Sequence, residues 1–308
     1  MGDGHTIETR RPARRGVARF LHDELLETLP AGYDRAALLD AERATYVISQ
    51  SVTYTYDKPV RDLRQRLVLL PRRLHGDQRR VADHVSVTTS SDVGAAIHRR
   101  SDRFGNTMVR ADVPRVKQRI EFRSRAVIVR DTLSSVDPPW RDEVPSSTAL
   151  TVADAAITDA ARSLGRIRDV WDTADAMSDM IRSAFEYAHD VTGVRTTAAE
   201  AWALRQGVCQ DMAHVMIAMC ASVGICSRYV SGHLVGDGAS HAWVEVFDPK
   251  RDAVVAIDPT HRRRTDLRYI TTATGRDYRD VAPTSGTYSG RGRGTLHVRK
   301  IIRLAEVA

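Results

Sequence analysis

Lysine is almost missing from this basic chain. Of its 46 Lys and Arg residues only Lys58, Lys117, Lys250 and Lys300 are lysine, set against 39 acidic residues. Lysine serves phosphate contacts almost as well as arginine, so the imbalance reads as compositional bias rather than selection for a polyanion. The arginines are spread along the chain, and the net charge of +7 therefore argues against a nucleic-acid partner. Cysteine is scarce as well: Cys209, Cys220 and Cys226 are an odd number, contain no C-x-x-C, and suit neither a disulfide framework nor a zinc ribbon. Long apolar runs are absent. The longest, from Val215 to Cys226, is broken by Ser222 and Gly224 and falls short of the roughly 20 residues that span a bilayer. Arg10, Arg11, Arg14 and Arg15 lead into Phe20–Leu21 rather than an apolar core, and Asp3, Glu8, Asp23, Glu24 and Glu27 interrupt any amphipathic leader. The expectation is a cytoplasmic protein with free thiols and no membrane partner.

What is present is 308 residues, 42% hydrophobic, enough for a soluble chain of about two domains. In a first segment, 1–44, Val17, Phe20, Leu21, Leu25 and Leu29 recur at helical steps and predict one amphipathic helix ended by Pro30. From 45 to 135 the pattern alternates in β-formers over 46–56, 66–70, 81–89, 107–113 and 120–129. Turn signals fall between them at Asp57–Pro59, His75–Asp77 and Phe104–Asn106, so this is an antiparallel β domain. After a proline-rich linker at 137–145, a third segment, 146–308, opens with helical stripes over 150–164 and 174–188. Thr197-Ala-Ala-Glu200 fits a capping box. The next helix opens at Val208 or Cys209, stops at Gly224, and is apolar on most sides, which marks it as the buried centre of its domain. Strands are expected at 227–234, 242–247, 253–258 and 295–304, so the fold class is α+β.

Chemistry gathers at the start of that central helix. Cys209 sits where backbone N–H groups lack partners and the local field is positive. A free cysteine titrates near about 8.5, and making it mostly thiolate at neutral pH takes roughly 2.7 kcal/mol. A helix start supplies about 0.3–1 kcal/mol. The dipole alone is too weak, and a cationic neighbour is required. His241 opens the strand His241-Ala-Trp-Val-Glu-Val-Phe247, and Asp258 closes Val254-Val-Ala-Ile-Asp258. A hairpin turning at Asp248–Arg251 sets His241 opposite Asp258, where a carboxylate can orient the ring and stabilise its charged form. Slipping by one residue would part them onto opposite faces. Each residue also has a bland reading: a core cysteine, a capping histidine, a strand-ending aspartate. Cys220 and Cys226 read as packing residues. His214, five residues along the helix, reads as a buried structural histidine, while His189 and His233 lack a comparably placed acid.

At these residues the chain resembles the bacterial transglutaminase-like cysteine enzymes. Gly207-Val-Cys-Gln-Asp-Met-Ala-His214, Arg228-Tyr-Val-Ser-Gly232, Ser240-His-Ala-Trp-Val-Glu-Val246 and Asp258-Pro-Thr260 look like the core of that family, in its order. Gly275-Arg-Asp-Tyr-Arg-Asp-Val-Ala-Pro283 matches a further usual stretch. Tyr54–Pro59 and Phe104-Gly-Asn106 resemble the β region that often precedes it. The resemblance implies a papain-like core with Cys209 as nucleophile, His241 as base and Asp258 as orienting acid, needing neither metal nor organic cofactor. It implies acyl transfer on a peptide, protein or small-molecule amide, with an amine or water as acceptor. The alternatives are a thiol peptidase or amidase on the same triad, or a non-catalytic binding module on the same scaffold. Two positions depart from the family: Met212 stands where Phe is usual, and His261 where Asn is usual.

Overall fold

The computed structural model describes residues 5–11, 34–90, 94–134, 147–165, 169–236 and 240–308. The helix expected at 17–29 and the linker at 137–145 lie outside the described residues. The chain begins with β1 (His5–Arg11), α1 (Arg35–Asp40), β2 (Arg43–Tyr56), β3 (Val60–Leu70), β4 (Leu74–His75), β5 (Gln78–Thr89), β6 (Ala96–Ser101), β7 (Thr107–Val116) and β8 (Arg119–Asp131). Next come α2 (Ala155–Ser163), α3 (Val170–Ala184), β9 (Glu186–Tyr187), α4 (Ala198–Leu204), β10 (Gln206–Gly207) and α5 (Cys209–Ser222). Then follow β11 (Ser227–Leu234), β12 (Ser240–Asp248), β13 (Ala253–Asp258), β14 (Arg263–Arg264), β15 (Tyr269–Gly275), α6 (Tyr278–Val281), β16 (Thr284–Ser289) and β17 (Gly294–Val307). Two compact units result: Met1–Asp137 with Leu234–Ala239 and Ala282–Ala308, and Pro138–His233 with Ser240–Val281. No helix among the described residues is long and apolar enough to cross a membrane.

The first unit holds two sheets. One runs β1-β5-β8-β2-β17 with β4 beside β5, and the other runs β16-β3-β7-β6. Strand alternation puts Tyr46, Ile48 and Val52 of β2 beside Ile128, Ala126 and Phe122 of β8 on one buried face. Buried Leu63 and Leu67 come from β3 of the other sheet. The polar intruders on that face are satisfied across the gap: Gln50 Nε2 donates to Leu69 O at 3.0 Å, and Tyr54 OH meets Thr284 Oγ1 at 2.9 Å.

The last strand corrects the expected boundary of the third segment. Residues 284–307 were assigned to the core at 146–308, yet β16 pairs with β3 and β17 pairs with β2 from Gly294↔Tyr56 to Val307↔Ala44. β2 is 14 residues long, with β8 on its other side. Without β17 it would present a long row of unpaired N–H and C=O groups. β1 and β6, both rich in arginine and histidine, were not foreseen as strands; they pair with β5 and β7.

In the second unit, α5 is the buried centre that its composition foretold. Every residue from Asp211 to Cys220 is buried, and α2, α3, α4 and β12 pack around it. The foreseen cap is present on α4: Thr197 Oγ1 accepts from Glu200 N at 3.2 Å, and Glu200 Oε2 accepts from Thr197 N at 2.8 Å. Beyond the helices lies a five-stranded sheet in the order β14-β13-β12-β11-β15. The architecture is the α+β arrangement expected: a helix-centred core with an antiparallel β unit supplied largely by the residues before it.

Candidate active site

The helix start is built by two neighbours of Cys209. Asp211, at the third position of α5, accepts from Val208 N at 2.8 Å and from Thr192 Oγ1 at 2.7 Å. Its side chain lies against Gly207, where any Cβ would collide with the Asp211 carboxylate, so glycine is required for the chain to enter the helix here. Burial pushes the Asp211 carboxyl upward, and these hydrogen bonds pull it back. The result is a fixed first turn that leaves Cys209 at the helix entrance.

The three thiols part company. Cys209 is partly exposed, Cys220 is fully buried, and Cys226 is intermediate. Burial pushes the Cys220 thiol up to about 12, and its sulfur lies 3.8 Å from Met177 Sδ. Cys220 is a packing residue, as its helix position implied.

His241 Nε2 lies 2.7 Å from Asp258 Oδ2. A carboxylate only accepts, so Nε2 carries the proton and Nδ1 is the nitrogen left for the thiol. The Cys209 side chain also acts on this imidazole. Burial by itself would lower the His241 pKa, but the bonds to Asp258 and Cys209 and their charges outweigh it and raise it to about 10. The structure thus brings together all three residues singled out in the sequence.

It does so through a different hairpin register. The β12–β13 ladder pairs Val244↔Ile257 through Asp248↔Ala253, so Phe247 faces Val254 rather than Asp252. The turn is displaced because Asp248 accepts from Lys250 N at 2.9 Å, and Asp252 takes a left-handed φ of 48° that closes the loop. The displacement is two residues, and an even slip keeps every side chain on its face. His241 and Asp258 are therefore diagonal rather than direct neighbours, within reach of an imidazole.

Asp258 is the most heavily coordinated group here. Oδ2 accepts from His241 Nε2, from His261 Nδ1 and from Tyr269 OH, each at 2.7 Å. Oδ1 accepts from Thr260 N at 2.9 Å and His261 N at 3.3 Å. Burial acts to raise this carboxyl, but the bonds from His241 and His261 and the charge of His241 hold it far below the usual carboxylate range. Tyr269 is aimed by Arg263, whose Nε donates to the phenol oxygen at 2.7 Å. Burial and the neighbouring Asp258 charge drive the Tyr269 pKa upward, so it stays a donor. Trp243 stacks beside His241 with ring centroids 6.2 Å apart. The indole passes so close to Gly232, which pairs with His241 across β11–β12, that a Cβ there would strike it.

Tyr269 and Arg263 were not foreseen as part of this cluster. Tyr269 lies in the β-rich run Tyr269–Gly275, and β15 sits beside β11 in the sheet. That pairing is the signal that could have placed it. His261 was marked as a departure, and the structure gives it a role as a second imidazole on Asp258. His214 is buried; its Nε2 accepts from Tyr278 N at 3.1 Å, and burial pushes its pKa down to about 4, so it is a neutral structural histidine. His233 meets Thr272 Oγ1 at 3.2 Å, and His189 is exposed beside Tyr187. His241, Asp258 and His261 present ligand atoms within 4.8 Å of one another. Both imidazoles already hydrogen-bond the same Asp258 oxygen, each at 2.7 Å.

The comparisons with known proteins bear on the fold. Residues 158–259 match the Transglutaminase-like superfamily, and residues 46–129 match the Bacterial transglutaminase-like N-terminal region. An uncharacterised protein of Mycobacterium leprae is 35% identical over 175 residues, covering 53% of this chain and 62% of that protein. One from Mycobacterium tuberculosis is 34% identical over 149 residues, covering 44% of this chain and 48% of that one. The matches thus span about half to three fifths of these relatives' lengths. Among solved structures, a candidate cysteine protease from Cytophaga hutchinsonii aligns with a TM-score of 0.64 at 22% identity, covering 86% of this chain and 91% of that one. At that identity the likeness speaks for the fold. Residues 158–259 thus form a transglutaminase-like core, and residues 46–129 ahead of it form a bacterial transglutaminase-like N-terminal region.

Proposed function

We propose that the protein is a cysteine-dependent acyltransferase that works through a thioester on Cys209. The observation that supports this reading is the single imidazole of His241, bonded at Nε2 to buried Asp258 at 2.7 Å and raised in pKa by both Asp258 and Cys209. A histidine so placed stays protonated at neutral pH, and its charge supplies what the helix start alone lacks. The Cys209 thiolate attacks the carbonyl carbon of a carboxamide or peptide bond. The S–C bond forms as the C–N bond breaks, and the His241 imidazolium gives its Nδ1 proton to the departing nitrogen. The backbone N–H of Cys209, at the open end of α5, faces the developing oxyanion. Nδ1 then takes a proton from an amine or a water, which attacks the thioester and releases the sulfur. An amine gives transamidation or ligation; water gives amide or peptide hydrolysis. The substrate is a peptide, protein or small-molecule amide, and the chain's own side chains supply every step without a cofactor.

The test is intact-mass measurement after incubation with peptide and metabolite pools. An acyl adduct that maps to Cys209 and disappears on addition of a primary amine supports acyl transfer. An adduct that never forms, under conditions where iodoacetamide modifies Cys209, rejects it in favour of a binding module.

A further inference from the structure

The first unit carries a trough of its own. The outer face of the β8-β2-β17 sheet is a trough with a cavity volume of about 610 Å3. Its floor is the small hydroxyl row Ser49, Ser51 and Thr53 on β2, and its walls rise on the two flanking strands. At the centre, Ser51 pairs with Arg299 on one side and Arg123 on the other, so two guanidinium groups flank one serine. Those walls stand two strand spacings apart, about 9.5 Å. Arg125, Arg303 and Arg119 extend the same lining, and Glu121 is its one acidic member. Glu121 is held by Arg119 Nη2 at 3.1 Å and Arg123 Nε at 2.7 Å, which orients the guanidinium groups without neutralising the trough. At the far end Arg303 Nε is buried without a hydrogen-bond partner among the described residues. The hydroxyl floor from Ser49 to Thr53 lies on the opposite face of β2 from buried Ile48 and Val52, and Arg123 and Arg125 lie on the opposite face of β8 from buried Phe122 and Ala126.

We propose that this trough binds an extended acidic peptide segment, with carboxylates at alternate positions. Three features select that ligand. Arginine forks match carboxylates in bidentate pairs. Alternate side chains of an extended chain recur at about 6.7 Å, the spacing of alternate wall positions along β8 and β17. The width admits one extended chain lying over the hydroxyl floor. A nucleic-acid single strand fits less well: its bases need aromatic platforms, and the lining holds no Phe, Tyr or Trp. A duplex is too wide. The proposal goes beyond the acyl-transfer reading and does not rest on it, since no lining residue belongs to the thiol site.

The experiment uses the full chain and a fluorescein-labelled peptide of about eight residues alternating glutamate and serine, a length matched to the His297–Arg303 span at about 3.3 Å per residue. Fluorescence anisotropy at fixed ionic strength is expected to show saturable binding. The Arg123→Glu/Arg299→Glu double variant should weaken it about tenfold or more, and Glu121→Gln should strengthen it, a gain that misfolding does not produce. Arg64→Glu, on the other sheet, should leave affinity nearly unchanged. The proposal is overturned by absence of saturable binding, by Arg64→Glu weakening the peptide as much as the trough variants, or by oligothymidylate of equal length binding more tightly. Each readout is independent of Cys209, so a catalytic failure and a failure of the trough are told apart.

Discussion

The two ends of α5 place the same residue type in opposite circumstances. Cys209 opens the helix, partly exposed, against an imidazole braced by a carboxylate. Cys220, eleven residues on, is sealed among apolar side chains, and its thiol is pushed up to about 12. Helix, residue and solvent are shared, so the difference in chemistry comes from surroundings alone: an available helix start and a cation for one, burial for the other. On the proposed reading, a sulfur becomes a nucleophile by position, and the body of the helix serves to hold that position.

The sharpest way to break the comparison is to exchange the two fates. Cys209→Ala should cost about 1,000-fold or more in turnover while leaving the melting temperature within a few degrees. Cys220→Ala should do the reverse, keeping turnover and costing about 1 kcal/mol of stability from the methyl-sized gap it leaves. Paired kinetics and thermal melts of both variants check this, and a large activity loss in Cys220→Ala would erase the distinction.

Next in size is the brace. Asp258→Asn leaves the shape and removes the charge that keeps His241 protonated, so turnover should fall about 100- to 10,000-fold, mostly in kcat. The same variant makes a stability prediction whose sign follows from the shifts. His241 has a folded value of about 10 against 6.5 in the free residue, so its contribution is complete below 6.5 and lost as pH rises through about 10. Asp258 is lowered from 3.8, so its contribution is complete above 3.8 and lost at more acid pH. The wild type should therefore exceed Asp258→Asn in stability most between about pH 4 and 6.5 and converge with it near pH 10, as thermal melts across pH would read.

Smaller effects come from the flanking histidines. His261→Asn keeps a donor for Asp258 and should retain activity within about tenfold, whereas His261→Leu removes it and should cost more. His214 is neutral and buried, with a folded value of about 4 against 6.5, so the stability it supplies is lost as pH falls from 6.5 through 4. His214→Gln, whose side-chain oxygen can still accept from Tyr278 N, should lose less stability over that interval than the wild type does. If its acid melting curve parallels the wild type, burial of His214 is not what weakens the core in acid.

Much of this site could be read from residue order. Composition exposed the buried helix, glycine and the helix start marked Cys209, and the face parity of two short strands joined His241 to Asp258. The register missed by two residues because it is decided by the Asp248 turn and the left-handed Asp252, details that alternation does not encode. Parity survived because an even slip preserves it. Tyr269 and Arg263 escaped notice because their place beside Asp258 depends on which strand lies next to β11, a long-range choice. β17 was assigned to the wrong unit for the same reason: its sequence says strand, and only the open edge of β2 says where.

The central proposal is that the His241 imidazole, braced by Asp258, activates the Cys209 sulfur as a nucleophile. Site-resolved iodoacetamide labelling of the native protein, followed by peptide mass spectrometry, tests it most directly. Cys209 should react at least about tenfold faster than Cys220 or Cys226 at pH 7, and that advantage should collapse in His241→Ala. Equal labelling of the three cysteines, or an undiminished Cys209 rate without His241, would contradict it.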